Sequence, residues 1–256
     1  MDAQETLERD GLVVVPDALG RAQLERLTAA VDRVWRDRRP DRGELHELSF
    51  LGLDPEFVAL LDHPLVLPLV VGSLGWNVYV YHCHLDVHPP LAAPLEPRWR
   101  WHQDGGRQNV DLPSPRPRLS VKAAFFLTDV PSAEHGAMWI IPGSHRQDRL
   151  ERPADCSTRP PGAEPLLVSA GTAVVFDRRL WHARGENTSA TPRRALFLAY
   201  TYRWIRLRDE QTLPDEVLAR LDPVRRQLAG CASGTLGHWF PTDEDAPLRA
   251  QSEAMR

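Results

Sequence analysis

The chain has 256 residues, of which 42% are hydrophobic and 26% are charged, a composition typical of globular proteins rather than disordered or fibrous ones. Its formal net charge of −4 at pH 7 predicts no attraction to nucleic acid or to anionic lipid. The longest apolar stretch, residues 57–76, is interrupted by Asp62, His63 and Pro64, so no membrane span is expected. A small molecule is therefore the expected partner, and the oligomeric state stays open.

The first quarter of the chain is predicted to be helical and the centre to be β. A strand over 11–16 precedes helices predicted over 22–36, 54–61 and 64–74. Strands are predicted over 77–88, 118–130, 138–141, 172–176 and 195–202, with a late helix over 213–228. Short strands joined by Pro- and Gly-bearing turns indicate a mainly β protein with flanking helices, built on a double-stranded β-helix (jelly roll, cupin-like).

We expect one domain over residues 1–256, with a helical part over 1–75, a jelly-roll core over 76–205 and a C-terminal helix and cap over 206–256. The aromatic pair Trp239 and Phe240 could cap the barrel or meet another subunit, and burial in the cap is the favoured prediction. The three cysteines, Cys83, Cys156 and Cys231, form no even framework and no CxxC motif. Together with an acidic N-terminus that lacks the apolar run of a signal peptide, they predict a reduced, cytoplasmic protein.

The densest chemical signal is Trp101-His102-Gln103-Asp104. In a strand, alternate side chains share a face, so His102 and Asp104 would together offer two ligands to a divalent metal. A buried histidine bonded to a neighbouring aspartate is the alternative. His182, after an apolar strand, could complete a two-His-one-carboxylate triad, which suits non-haem Fe(II) and leaves three positions open. Taken alone, His182 fits a turn or core histidine equally well.

The loop Thr191-Pro192-Arg193-Arg194 lies beyond His182. A buried arginine there could bind the distal carboxylate of a co-substrate in bidentate fashion. Most arginines in so arginine-rich a chain are solvated, so the loop alone identifies no site.

Together, Trp-His-Gln-Asp, Gly136-Ala-Met-Trp-Ile-Ile-Pro-Gly-Ser-His145 and Trp-His182 with Pro192-Arg193 behind it resemble the phytanoyl-CoA dioxygenase family. The resemblance implies a jelly-roll oxygenase that uses Fe(II) with 2-oxoglutarate and O2 as co-substrates. By motif it implies His102, Asp104 and His182 as iron ligands and Arg193 as the anchor of the 2-oxoglutarate C5 carboxylate. Asp104 disfavours halogenation, because the related halogenases lack that carboxylate. Ala183-Arg184 departs from the small residue and Ser common in the family.

His82, His84, Asp86 and His88 fall at period 2 and share one strand face, whereas Tyr81, Cys83, Leu85 and Val87 share the other. The histidine-rich face is predicted to be a cavity wall rather than a solvent face. Relatives place a polar residue near the position of His82 against 2-oxoglutarate, so His82 is a candidate co-substrate contact and His84 a candidate substrate contact.

On the strand over 118–130, relatives place an aromatic residue facing the iron at Phe125. This makes Phe125 a candidate for the co-substrate pocket and puts Lys122, the only lysine, on the opposite face in a structural role. Arg107, Asn109 and Trp139 are candidate substrate contacts. For the first two the alternative is an exposed loop, and for Trp139 it is core packing.

The sequence thus predicts an Fe(II)- and 2-oxoglutarate-dependent oxygenase acting on a polar small molecule. Hydroxylation or oxidative cyclisation in secondary-metabolite biosynthesis, glycosylated products included, is favoured by the polar strand face and the arginine-rich composition typical of a GC-rich genome. One alternative is a cupin-type metal enzyme without 2-oxoglutarate, which would not need Arg193. The other is a non-catalytic small-molecule-binding relic of the fold.

Overall fold

The computed structural model describes residues 2–92, 98–153, 158–209 and 213–254, so Cys156 lies outside the described residues. Their strands are β1 (Leu12–Val15), β2 (Leu45–Leu48), β3 (Val78–His88), β4 (Ser120–Phe126), β5 (Met138–Ile140), β6 (Glu164–Pro165), β7 (Ala173–Asp177), β8 (His182–Arg184) and β9 (Arg193–Tyr202). Their α-helices are α1 (Ala3–Asp10), α2 (Arg21–Arg38), α3 (Leu67–Leu74), α4 (Gln108–Asp111), α5 (Asp215–Leu218), α6 (Pro223–Leu228) and α7 (Leu248–Ala254).

The strands form two antiparallel sheets. One has six strands in the order β1-β7-β4-β9-β3-β2, and the other has three in the order β6-β5-β8. A core of apolar side chains from both sheets, including Phe126, Met138, Ile140 and Phe176, holds them together. The sheets do not close into a barrel, and the predicted mainly β, jelly-roll class is confirmed.

The central strands of the six-stranded sheet, β7, β4, β9 and β3, are buried on both faces. The outer face of the sheet packs on α1, α2 and α3 through residues such as Leu7, Leu27 and Val70, and its inner face meets the small sheet. The helices start and stop where the sequence directs: Asp2 and Glu5 form a capping box on α1, and Gly11, at φ +77°, ends it.

Strand β4 reverses the predicted orientation of two residues. Val121, Ala123 and Phe125 belong to the helix-side core, and Phe125 packs edge-on against His63 with ring centroids 5.3 Å apart. Lys122 alternates with them and faces inward. The prediction that Phe125 faces the iron and Lys122 faces away was therefore wrong. A strand buried on both faces has apolar residues at nearly every position, so its sequence gives no period-2 signal to set the register.

Strand β3 carries the predicted histidine-rich face, with one change. Cys83, Leu85 and Val87 lie in the helix-side core, leaving His82, His84, Asp86 and His88 on the inner face. Tyr81, predicted to share the face of Cys83, instead clusters with Tyr79 and Ala199. A register shift between Val80 and His82 against β9 is the cause, because one extra residue switches the alternation.

Three further predictions differ from the structure. Residues 102–104 are not a strand: His102 makes an isolated bridge and a turn begins at Asp104. The late helix is divided in two, because Pro223 opens α6 and cannot continue a preceding helix. Trp239 and Phe240 are 60% and 78% exposed, so their predicted burial in a cap was wrong. Within the described ranges, no helix combines the length and hydropathy needed to cross a membrane.

Candidate active site

Backbone pairing brings two distant segments together at the inner face. His102 and His182 form an antiparallel bridge, in which each backbone N–H donates to the other's carbonyl at 3.0 and 3.1 Å. His182 is the first residue of β8. Asp104 follows two residues after His102, and its backbone N–H donates to the Arg178 carbonyl at 2.8 Å. The three predicted ligands therefore converge although they come from residues far apart in the chain.

The two imidazoles point the same nitrogen at the carboxylate. Nε2 of His102 lies 3.9 Å and Nε2 of His182 lies 4.0 Å from Asp104 Oδ1. Each Nδ1 lies 2.9 Å from a backbone carbonyl, that of Arg100 for His102 and that of Leu180 for His182. Because a carbonyl only accepts, each Nδ1 carries a proton, and Nε2 is the ring nitrogen that faces the carboxylate. Burial lowers the pKa of His182 to about 4, which keeps it neutral. This donor set fits one divalent ion.

Lys122 is the unexpected member of the site. Its Nζ lies 2.6 Å from Asp104 Oδ2, with the lysine side chain 9% exposed. Burial alone would raise the pKa of Asp104, but Lys122, His182 and His102 hold that pKa well below its usual range. The ammonium therefore binds one carboxylate oxygen and leaves the other facing the imidazoles. The signal that could have identified Lys122 is its being the only lysine in the sequence.

The turn that carries Asp104 is fixed by a buried arginine. Arg178 is fully buried and donates from Nη1 to the Asp104 carbonyl and to Asn109 Oδ1, at 3.1 and 2.8 Å. Asn109 Nδ2 donates to the same Asp104 carbonyl at 3.0 Å. Both hydrogen-bonding ends of the Asn109 amide are thus used on this turn, so Asn109 supports the backbone of Asp104. Sequence reasoning missed Arg178.

An inner chamber of about 260 Å³ opens beside the three predicted ligands. Arg193, the first residue of β9, is 4% exposed and points into it. Its Nη1 donates to the Gly136 carbonyl at 2.9 Å, its Nη2 lies 3.9 Å from Asp86 Oδ2, and its Nε has no hydrogen-bond partner. Burial lowers the pKa of this guanidinium. A buried cation with so distant a counterion is suited to receive an anion.

The histidine row of β3 lines the same chamber. His82 Nδ1 bonds Asp209, its Nε2 lies 3.1 Å from His84 Nδ1, and the His84 ring stacks on Phe197 at 4.4 Å. His46, on β2, holds Asp86 through an Nδ1–Oδ1 contact of 2.6 Å. Sequence reasoning missed His46 and Asp209.

The donor atoms of His46, His84 and Asp86 lie within 4.8 Å of one another, a second arrangement that could hold an ion. The Arg193 guanidinium, 3.9 Å from Asp86, opposes a second cation there. We therefore interpret this row as a hydrogen-bonded wall of the chamber.

The two remaining candidates lie outside the inner chamber. Trp139 lines a separate cavity of about 300 Å³, where the Arg159 guanidinium covers its ring at 4.4 Å. Arg107 lines an outer cavity and pairs with Asp111. The structure thus groups His82, His84 and Arg193 with the three predicted ligands and sets Trp139 apart.

A jelly roll with two histidines and one carboxylate converging beside a buried arginine is the architecture of a non-haem metal oxygenase. The model of the phytanoyl-CoA dioxygenase (PhyH) family matches residues 7–195. The chain is 29% identical to the dioxygenase af480 of Aspergillus fumigatus, over 89% of this chain and 75% of that protein. It is 27% identical to the L-proline trans-4-hydroxylase of Streptomyces griseoviridis, over 78% and 85%. The crystal structure of SnoK, a non-heme alpha-ketoglutarate-dependent carbocyclase from nogalamycin biosynthesis, superposes with a TM-score of 0.60 at 25% identity, over 86% of this chain and 90% of that one.

The chain belongs to the phytanoyl-CoA dioxygenase family, as its motifs predicted. It is a non-haem dioxygenase whose metal is Fe(II) and whose co-substrates are 2-oxoglutarate and O2. This replaces the cupin-type and non-catalytic alternatives.

Proposed function

We propose that this enzyme hydroxylates or oxidatively cyclises a polar small molecule in the biosynthesis of a natural product. The observation that carries the proposal is the convergence of His102, Asp104, His182 and Arg193 on one chamber. Support for the reaction class comes from relatives that bear the names dioxygenase, proline hydroxylase and nogalamycin carbocyclase.

In this proposal, Nε2 of His102, Nε2 of His182 and Oδ1 of Asp104 would hold the iron. The iron would supply oxidation of a substrate C–H bond by O2, with one oxygen atom going to the substrate oxidation and the other into the succinate formed, with CO2, from 2-oxoglutarate. Lys122 neutralises the second oxygen of Asp104. The carbonyls of Arg100 and Leu180 keep the imidazole protons on Nδ1, away from the metal side.

Arg193 binds the distal carboxylate of 2-oxoglutarate. Its free Nε and its Nη2 offer two parallel N–H donors, which match the two oxygens of a carboxylate. His82 and His84 form the wall beside the co-substrate, and the His84 ring is held in place by stacking on Phe197. Arg193 is itself buried, so charge-assisted hydrogen bonds formed to its guanidinium are screened by solvent less than those at the surface.

An anaerobic titration of metal-free protein with Fe(II) and 2-oxoglutarate tests this arrangement through the visible charge-transfer band of the complex. We expect the band in the native protein and its loss, at the same co-substrate concentration, in Arg193→Ala. Arg194→Ala is the matched control, because Arg194 points away and pairs with Asp32 at 2.8 Å. Equal bands in both variants would contradict the role of Arg193.

A second measurement separates the metal from the co-substrate. His102→Ala is expected to abolish succinate formation and to reduce Fe(II) binding, because only two of the three donors remain. Unchanged turnover in this variant would refute the proposed ligand set. Iron binding without any charge-transfer band would instead refute the binding of 2-oxoglutarate at this metal.

A further inference from the structure

An outer chamber of about 610 Å³ adjoins the inner one. The two chambers share His102, Asp104 and Arg208, so two of the three predicted metal ligands lie on the boundary between them. Besides these, the outer chamber is lined by Tyr81, Gln103, Gly105, Gly106, Arg107, Gln108 and Arg206. The inner chamber contains Arg193, proposed above to bind 2-oxoglutarate. The outer chamber has more than twice the volume of the inner chamber.

Positive charge dominates the wall of the outer chamber. Its cationic side chains are Arg107, Arg206 and Arg208, and its carboxylate is Asp104, which already pairs with Lys122. Arg107 pairs with Asp111. Within the part of the chain that the structure describes, Arg206 and Arg208 have no ion-pair partner. Asp209, next to Arg208 in sequence, is occupied by the ring of His82 and the backbone N–H of Cys83.

We infer that the outer chamber binds an anionic substrate, whose acidic group lies against Arg206 and Arg208 while its reacting part lies over His102 and Asp104. This inference rests on the proposed function and adds a substrate class to it: a small molecule with a carboxylate, sulfate or phosphate group. Two guanidinium groups that form no ion pair with any described residue favour an anion and repel a cation. The volume admits a molecule considerably larger than 2-oxoglutarate.

The two arginines flank the chamber differently, which suggests a division of roles. Arg208 reaches both chambers, and its charge contributes to the lowered pKa of His82, whose main cause is burial. Arg206 lines only the outer chamber. An acidic group held between them is therefore separated from the inner chamber by Arg208, so the substrate anion and 2-oxoglutarate do not compete for Arg193.

The test uses a pair of probes that differ in charge. Protein loaded with Mn(II) in place of Fe(II), with saturating 2-oxoglutarate, is titrated with naphthalene-2-sulfonate or with uncharged naphthalene-2-methanol. Paramagnetic relaxation of the probe protons by Mn(II) reports only molecules bound near the metal. Sulfonate is a weak metal ligand, so relaxation reports the chamber rather than direct coordination.

We expect the sulfonate to bind more tightly than the alcohol in the native protein. The double variant Arg206→Gln/Arg208→Gln should weaken sulfonate binding by at least about tenfold, the effect of losing one charge-assisted hydrogen bond, and leave the alcohol unchanged. Arg21→Gln/Arg36→Gln, on the exposed face of α2, is the matched control with the same loss of charge. It should leave both probes unchanged.

Equal binding of the two probes, or unchanged sulfonate binding in the Arg206/Arg208 variant, would overturn the inference and show these arginines to be solvated surface groups. If the control variant weakened sulfonate binding equally, the inference would also be overturned, because the net charge of the protein alone would then explain the effect. If Mn(II) stays free, as its EPR signal would report, the metal site of the proposed function fails and the inference fails with it. Bound Mn(II) without discrimination between the probes refutes the inference alone.

Discussion

Replacing Lys122 by Met tests the most unexpected contact of the site. The substitution keeps the length of the side chain and removes the ammonium that lies 2.6 Å from Asp104 Oδ2. In metal-free protein it leaves a buried carboxylate facing the two imidazoles. Removing one partner of a buried ion pair costs about 3–5 kcal/mol, so at the lower end we expect a Tm decrease of roughly 6–12 °C in EDTA.

A divalent ion at the three predicted ligands would replace the lost countercharge. We therefore expect Mn(II) or Fe(II) to raise the Tm of Lys122→Met more than that of the native protein. The difference in Tm between the two proteins should then be smaller with metal than in EDTA. Thermal unfolding followed by circular dichroism, with EDTA and with metal, measures both values. Arg194→Met is the control: it also breaks an ion pair, to Asp32, and should destabilise the protein equally in both conditions.

The reasoning is refuted if Lys122→Met lowers Tm by the same amount with and without metal. That result would mean that the lysine stabilises the strand by packing over Phe176, whose ring centroid lies 5.9 Å away, rather than by balancing Asp104. An unchanged Tm in EDTA would equally refute it.

Two further outcomes follow from the same site. The pKa of His182 falls from 6.5 to about 4 on folding, so the unfolded chain binds more protons below pH 6.5 and stability decreases as the pH falls. In urea unfolding with EDTA, this residue should make the free energy of unfolding about 2 kcal/mol lower at pH 5 than at pH 7. His182→Asn should remove this contribution to the pH dependence. An equal pH dependence in the native protein and the variant would contradict the prediction. Gly105 has φ +117°, and a Cβ added there would collide with Arg178. Gly105→Ala should therefore lower the free energy of unfolding in urea by about 1–3 kcal/mol and weaken Mn(II) binding. Gly106 has φ +52°, and a Cβ added there would have no atom within 4 Å, so Gly106→Ala should lower the free energy of unfolding less. Equal decreases in the two variants would exclude the collision with Arg178 as the cause.

The motifs predicted which residues meet, because the family resemblance orders them along the chain and the strand patterns bring them to one face. His102, Asp104, His182 and Arg193 were all identifiable in this way. Their local structure was less predictable. Residues 102–104 form a bridge and a turn, and their side chains converge because Arg178 and Asn109 fix the turn. The sequence motif carries no signal for those two supporting roles.

The errors in orientation have two physical causes. On β4, both faces are buried, so apolar residues surround Lys122 and no alternation indicates that it faces the metal site. On β3, a single register shift moves Tyr81 to the face opposite its predicted one. The sequence also carries no indication of the charges of the outer chamber. Two of them, Arg206 and Arg208, lie in the segment after β9 and belong to no recognisable motif. Residues of this kind meet the site only through tertiary structure.

The backbone bridge between His102 and His182 has a consequence for when the site forms. It closes a loop of about 80 residues, and the entropy of that closure is roughly 4 kcal/mol by the logarithmic dependence on loop length. Because the bridge is held by two hydrogen bonds that need no ion, this closure is completed during folding. The histidine pair therefore depends on the long-range contacts of β8, and chains interrupted before residue 182 lack it. Metal capture should accordingly report that the segments carrying His102 and His182 have paired.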